Sequence, residues 1–244
     1  EPKYFESKRI LFREIPGENK RIQATYTEEK SYYGHSITPY ILNNTEYTIH
    51  YILSIVNSKL ISWYASQKCS NYSKKTFPKL NPKDIKELPI KIITLEEQQL
   101  YKEKAELMLN IKKIFHEKNL KFKSSIMRKF ELNELTKKTQ DWHKLAYSDL
   151  VKELAKQKIK LSLSEEAEWE EYFNSERKKA KDILAEIEST DKEIDQMVYK
   201  LYELTEEDTV LLYNATLLDF KETLYKDKHD KIKQIVNEVI ETSE

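Results

Sequence analysis

The sequence predicts an α+β protein, in which a small mixed α/β domain, residues 1–94, precedes an all-helical domain of long amphipathic helices, residues 95–244. All six prolines and both glycines lie in the first of these domains. The spacing of the apolar residues also changes near residue 94, from the alternation typical of strands to the three- and four-residue intervals typical of helices. Both observations place the change of fold class at this position.

Three segments of the first domain have the pattern of half-buried strands. KRILFREI, residues 8–15, alternates apolar and charged residues and is followed by the turn sequence PGEN. RIQATYTE, residues 21–28, alternates again. SYYGHSITPYIL, residues 31–42, contains Pro39, which predicts an edge or bulged strand. We expect these strands to form a small sheet, with the apolar segment KELPIKII, residues 86–93, as a further strand.

Residues 46–68 change to a helical period. Their apolar residues recur at intervals of three and four, which predicts one amphipathic helix; they are Ile49, Ile52, Leu53, Val56, Leu60 and Trp63. The end of this segment overlaps ISWYASQKCSNYSKKTFPKL, residues 61–80, which combines lysines with aromatic residues and almost no acid.

The second domain has two helix starts that the sequence marks clearly. Thr94 and Glu97 form a predicted capping box, and Ser164 is the predicted N-cap of a later helix with an acidic first turn. We expect the two helices to pack against each other as a hairpin or small bundle. The predicted contact residues are Leu100, Leu107, Ile111 and Ile114 on the first helix, and Ile183, Ile187, Ile194 and Met197 on the second.

Composition excludes several classes of protein. With two glycines there is no phosphate-binding glycine loop, and the apolar stretches are too short to span a bilayer. A single cysteine excludes an internal disulfide and predicts a reducing, cytoplasmic location. The chain does not begin with methionine, so we expect it to be a segment of a longer protein.

The sequence contains no recognisable catalytic or metal site. The five histidines never approach one another at metal-ligand spacing, and His50 has the position of a partly buried core residue. Cys69 has no nearby histidine and is not a predicted nucleophile, although neighbouring lysines favour a low thiol pKa. DIKELPIK lacks the carboxylate spacing of a nuclease, and NPKD lacks the second proline and the aromatic residue of an adenine methyltransferase loop.

Charge is distributed unevenly and points to a partner. Residues 1–94 contain 15 Lys and Arg against 9 Asp and Glu, a net charge of +6, and residues 95–244 carry −6. Lysine and arginine neutralise phosphates, and aromatic residues stack on bases, so a DNA-binding surface is one interpretation and an ordinary solvated lysine surface is the other. The predicted DNA-binding residues are Lys8, Arg9, Arg13, Lys20, Arg21, Tyr32, Tyr33, His35, Lys59, Lys68, Lys74, Lys75 and Lys79.

Three motifs together resemble the C-terminal part of type IIG restriction–modification enzymes, which are fused nuclease–adenine methyltransferases with a Taq-type target-recognition domain. The first is YILSIVNSKLISWY, residues 51–64, followed by FPKLNPKDIKELPI, residues 77–90. The second is IKIITLEEQQLYKEKAELML, residues 90–109. The third pairs LSEEAEWEEYFNSERKKA with TDKEIDQMVYKLYELTEED, and it is the most specific. The resemblance ends near residue 207, and the role of residues 208–244 stays open.

The resemblance implies that residues 1–94 recognise a sequence in double-stranded DNA and that residues 95–244 form a helical spacer. Methylation and cleavage would be performed by methyltransferase and nuclease domains of the same parent enzyme. The family's S-adenosylmethionine motif is absent here, so we expect no cofactor in this chain, and S-adenosylmethionine and Mg²⁺ in the other domains. The alternatives are a helical interaction or spacer protein without a DNA-binding role and, less favoured, an independent enzyme.

Overall fold

The computed structural model describes residues 2–74, 76–217 and 226–241. In these residues a small sheet lies in the first part of the chain and only helices follow residue 94, which confirms the predicted α+β class. The strands are β1 (Arg9–Arg13), β2 (Ala24–Thr27) and β3 (Ile37–Tyr40). The helices are α1 (Lys3–Glu6), α2 (Ile49–Val56), α3 (Lys59–Lys68), α4 (Pro82–Lys86), α5 (Gln98–Lys129), α6 (Lys137–Gln140), α7 (Tyr147–Lys156), α8 (Leu163–Leu201), α9 (Glu206–Leu217) and α10 (Lys226–Glu241).

The sheet is antiparallel, with β1 between β2 and β3. Arg9 pairs with Thr27 on one side, and Arg13 pairs with Ile37 on the other. Pro39 therefore lies in an edge strand, as predicted, where its missing N–H disturbs no second ladder. The chain crosses from the end of β2 back to the start of β3, so residues 28–36 connect opposite ends of the sheet.

One face of β1 forms the core of this region. Ile10 and Phe12 are buried, and helix α2 contacts β1 and β2. The Asn57 side chain joins the two, because its Oδ1 accepts a hydrogen bond from Ala24 N at 2.9 Å and its Nδ2 donates to Ala24 O at 3.0 Å. The Asn57 amide thus forms the two hydrogen bonds that a neighbouring strand would form with Ala24, and it fixes the end of α2 to the edge of β2.

The prediction of one helix over residues 46–68 is wrong, because the helix is interrupted between α2 and α3. Ser58 is extended, and its hydroxyl accepts a hydrogen bond from Ile61 N at 3.3 Å, so it caps a new helix. Because Asn57 is bonded to β2 and Ser58 caps a new helix, α2 ends here and α3 begins as a separate helix.

The predicted strand over residues 86–93 is also wrong. Within it, the backbone of residues 89–91 bonds to tyrosine hydroxyls instead of to a neighbouring strand. Tyr202 donates to Pro89 O at 2.7 Å and accepts from Lys91 N at 3.3 Å, and Tyr51 donates to Lys91 O at 2.7 Å. Both rings are fully buried. Since these side chains satisfy the backbone, no sheet partner is needed.

The capping box at the start of α5 is confirmed. Thr94 N donates to Glu97 Oε2 at 2.8 Å, and Glu97 N donates to Thr94 Oγ1 at 3.2 Å. A similar box precedes α8, but its N-cap is Ser162, two residues before the predicted Ser164, because Ser162 exchanges these bonds with Glu165.

The predicted partner of α5 is confirmed, but of the four contact residues predicted on α5 only Ile111 is buried. Tyr101 of α5 donates to Met197 O of α8 at 3.2 Å. The residues of α5 that are buried include Tyr101, Ala105, Met108 and Ile111, whereas Leu100, Leu107 and Ile114 are exposed. The prediction was based on large aliphatic residues, so it did not select Tyr101 and Ala105, which are buried.

Contacts divide the chain into two compact units. The first comprises Glu1–Leu107 and Thr190–Glu244, and the second comprises Met108–Ser189. Residues near the two ends of the chain thus share one unit. The predicted domains, 1–94 and 95–244, describe a change of fold class and of family resemblance, and that division stays a prediction.

The second unit has an aromatic core of its own. The ring of Trp142 is fully buried and stacks on Phe122, with 3.7 Å between the ring centroids. Its Nε1 donates to Asn119 Oδ1 at 2.7 Å, so the one polar atom of the indole is satisfied inside the core.

Candidate nucleic-acid interface

Four segments of the first unit meet where β1 ends. Glu14 N donates to Ser36 O at 2.9 Å, and Leu80 N donates to Glu14 O at 2.8 Å. The end of β1 therefore lies between Ser36, which follows His35, and Leu80, which ends the 69–80 loop. Lys20 Nζ donates to Ser73 O at 3.0 Å and joins the 14–21 turn to the same loop. We call the exposed and half-exposed side chains gathered here the β1-end surface: Arg13, Lys20, His35, Lys74, Phe77 and Lys79.

The 69–80 loop is fixed at both sides of its tip. Tyr72 is fully buried, and its hydroxyl donates to Lys20 O. Leu80 is also buried, and Lys79 N donates to Asn71 O at 3.2 Å across the base of the loop. The residues on either side of the tip are therefore held in place.

Three cations of the β1-end surface have neutral partners. They donate as follows: Arg13 to Gln23 Oε1 at 2.8 Å, Lys20 to Ser73 O at 3.0 Å and Lys74 to Asn71 Oδ1 at 2.6 Å. By contrast, Lys79 forms an ion pair with Glu14 at 2.9 Å. A carbonyl oxygen orients an ammonium or guanidinium group without cancelling its charge, so these three positive charges remain available to an anion.

Arg9 has a different role from the predicted one. Its side chain is completely buried, and it donates to Ser7 O at 2.6 Å, to Glu29 O at 2.8 Å and to Ser31 Oγ at 2.7 Å. The Tyr33 ring lies 5.8 Å from the guanidinium. Arg9 thus holds the crossover between β2 and β3, and a guanidinium without exposed surface cannot contact a phosphate in this conformation.

Arg21 and Lys59 are likewise committed to internal partners. Arg21 donates to both carboxylate oxygens of Asp191, at 2.9 and 3.0 Å, and lies 3.3 Å from Asp195 Oδ1. Lys59 Nζ lies 3.1 Å from Asp195 Oδ2. The two positive charges are compensated inside the first unit.

The structure does not bring the other predicted residues to the β1-end surface. Lys8 precedes the opposite end of β1 and pairs with Glu28 at 3.4 Å. Tyr32 is exposed beside Phe5, and the Tyr33 hydroxyl donates to Tyr4 O. Lys68 ends α3 with its ammonium 5.9 Å from the Tyr64 ring, and Lys75 lies outside the described residues.

The predicted set omitted Phe77, which belongs to this surface. Phe77 is 80% exposed and has a positive φ of 55°. The sequence signal that points to it is its position in the lysine-rich stretch 68–79, directly before Pro78. The sequence did not predict its backbone conformation, because the left-handed region is typical of glycine and asparagine and not of phenylalanine.

Cys69 is not arranged for nucleophilic chemistry. Burial, together with the nearby carboxylates of Asp84 and Glu87, raises the pKa of its thiol to about 11, and the favourable influence that the sequence suggested for neighbouring lysines is not found.

We therefore expect iodoacetamide to alkylate native Cys69 on the order of 100-fold more slowly at pH 8 than an unfolded cysteine, because the thiolate is the reactive form. The rate should rise about tenfold per pH unit until about pH 11 is reached. The urea-unfolded chain is the control, and equal rates in the two states would contradict this result.

Two searches of the described residues were negative. No group of three or more His, Cys, Asp and Glu side chains is placed to hold a metal ion there. No helix in the same residues has the length and apolar character needed to cross a bilayer.

Comparison with known proteins identifies two regions of the chain. Residues 1–90 match the model of the TaqI-like C-terminal specificity domain, and residues 94–198 match a domain of unknown function, DUF8810. No curated protein and no solved structure matches the chain. The β1-end surface lies entirely within the first region. Residues 1–90 are therefore similar to a TaqI-like C-terminal specificity domain, a non-catalytic domain that suggests recognition of a DNA sequence in a restriction–modification system.

Proposed function

We propose that this chain is the DNA sequence-recognition module of a type IIG restriction–modification enzyme. On this proposal it directs methylation and cleavage by methyltransferase and nuclease domains outside the chain, which would bind S-adenosylmethionine and Mg²⁺. The observation that carries the proposal is the β1-end surface, where Arg13, Lys20 and Lys74 bond to neutral acceptors and, among the described residues, form no ion pair, within the region similar to a specificity domain.

The proposed DNA-contacting set is smaller than the one the sequence predicted. It retains Lys20 and Lys74 as phosphate contacts, because their ammonium groups lie on adjacent segments and bond to neutral acceptors, whereas Lys79 is paired with Glu14. Arg13 and His35 are the proposed base-reading residues, since each adjoins the end of the sheet at which the lysines gather. Contacts to phosphate position a protein on the duplex, and contacts to base edges provide sequence choice.

The helices after residue 94 support the module in this proposal. Helix α8 supplies Asp191 and Asp195 to Arg21 and Lys59, and the residue after it, Tyr202, bonds to residues 89–91. The end of α8 and Tyr202 thus complete the fold of the first unit.

Salt dependence of duplex binding tests the proposal. We expect the 244-residue chain to bind duplex DNA with an affinity that falls as salt rises, because each neutralised phosphate releases condensed counterions. Lys74→Gln should weaken binding to all duplexes alike and reduce the slope of log affinity against log salt by about one. Lys152→Gln is the matched control, because Lys152 is an exposed lysine of the second unit that pairs with Asp149.

The outcomes separate the proposal from its alternative. Non-specific DNA binding has dissociation constants of about 10⁻⁴–10⁻⁶ M, so a titration to about 100 µM protein at low salt detects it. Binding that is absent, or that does not depend on salt, would favour a helical spacer protein without a DNA-binding role.

A further inference from the structure

Phe77 combines two unusual properties. The residue is 80% exposed, although its side chain is large and apolar. Its φ of 55° lies in the left-handed region, which is an outlier for a bulky residue. The following Pro78 restricts residue 77 further, because the residue before a proline favours extended backbone conformations. Conformations of this kind persist where the surrounding structure enforces them, and they cluster at ligand-binding sites.

The loop that carries Phe77 is anchored on both sides. On one side Tyr72 is buried and bonded to Lys20 O, and on the other Leu80 is buried and bonded to Glu14 O at 2.8 Å. Phe77 lies between these two anchored residues and is exposed to solvent, so the anchors reduce the conformational freedom that the loop would lose on binding.

The neighbours of Phe77 identify the kind of ligand. Lys74 lies three residues before it and Lys79 two residues after it, and Lys20 bonds to the same loop. An apolar side chain on a loop that also carries lysines is poorly suited to an apolar protein surface, whose core excludes charge. It suits a polymer that offers flat apolar faces between rows of negative charge, and stacked bases between two phosphate backbones have this arrangement.

We propose that Phe77 is a wedge that inserts beside a base step of duplex DNA and partly unstacks it. Lys20 and Lys74 contact the phosphates while the ring takes the place of a neighbouring base. This inference rests on the proposed function and adds a mode of recognition to it. Apolar side chains that enter a base step kink the duplex, and the cost of the distortion depends on sequence, being lowest at flexible pyrimidine–purine steps.

The experiment compares Phe77→Ala and Phe77→Trp with the native chain, on a duplex selected by the chain from a random pool. Phe77→Ala should weaken binding by about 5- to 150-fold, the range for loss of one base–aromatic stacking contact. The salt slope should stay unchanged, because no charge is removed. Phe77→Trp should retain most of the affinity, since its ring also stacks.

A second readout reports the unstacking directly. 2-Aminopurine placed at each position of the selected duplex in turn should brighten at one step with the native chain and not with Phe77→Ala. Leu163→Ala is the control, because Leu163 is an equally exposed apolar residue of the second unit. The melting temperature of each variant shows that it is folded.

The results distinguish this inference from the function it rests on. If the native chain binds DNA, but Phe77→Ala binds equally well and no probe brightens, the wedge is overturned and the recognition function stands. If the native chain binds no duplex under any salt condition, the recognition function and the wedge are both overturned.

Discussion

Replacing Tyr202 by alanine is expected to lower the free energy of unfolding by about 3–5 kcal/mol. The ring is fully buried, so its removal leaves a cavity that the packed surroundings close only in part. The hydroxyl also satisfies Pro89 O and Lys91 N, and these backbone groups would lose their partner inside the protein.

Tyr202→Phe separates the ring from the hydroxyl. It keeps the packing and should cost about 1–3 kcal/mol, the usual penalty for a buried polar group left without its hydrogen bond. Urea denaturation measures both variants, and DNA titration should show that Tyr202→Phe binds as the native chain does. Lost binding with unchanged stability would mean that Tyr202 contacts DNA and does not support the fold.

The second large effect concerns the buried ion pairs of Asp195. Its side chain is 2% exposed and lies between Arg21, at 3.3 Å, and Lys59, at 3.1 Å. Removing one partner of a buried pair costs about 3–5 kcal/mol because a charge is left without compensation. Arg21→Met should fall near the lower end of this range, since Lys59 still faces the carboxylate.

The loss should depend on pH in a defined direction. Burial raises the pKa of the Asp195 carboxyl, and the charge of Arg21 opposes that rise. In Arg21→Met the pKa of Asp195 therefore rises further above the value of an unfolded aspartate, about 3.9. A raised folded-state pKa means that stability is lost as pH increases through it, once the folded protein must give up the proton. The difference in unfolding free energy between native chain and variant should thus be larger at pH 7 than at pH 4.

Lys8→Met is the control for this prediction. The Lys8–Glu28 pair is exposed on both sides, and pairs of this kind contribute little to stability. Denaturation curves of the two variants at both pH values give the comparison. An Arg21→Met protein that is no less stable than Lys8→Met, or whose loss is greatest at pH 4, would show that the Asp195 network does not stabilise the fold in this way.

Two of the sequence predictions that proved accurate depended on local signals. The capping box of Thr94 and Glu97 is formed by residues three positions apart, so the chain needs no distant contact to select it. Pro39 predicted an edge strand because a missing N–H acts at its own position. The Taq-type resemblance was read from motifs, and it agrees with the match over residues 1–90.

The errors in the fold arose where distant residues satisfy local groups. Asn57 is bonded to Ala24, and this contact interrupts a helix whose apolar period is continuous. Residues 89–91 have the composition of a strand, but Tyr51 and Tyr202 supply their hydrogen bonds. A periodicity argument counts residues within one segment, so it does not see a partner that is far away in the chain.

For the candidate site, the sequence by itself determined that the first part of the chain is basic and aromatic and resembles a specificity domain. Only the tertiary structure decided which of the cations are paired with a carboxylate. Arg21 is paired with Asp191, 170 residues away in the chain, whereas Lys74 is bonded to the amide of Asn71 three residues before it. The number of charges follows from composition, but the compensation of each one depends on which carboxylate the fold places beside it, because the attraction between ions falls with distance.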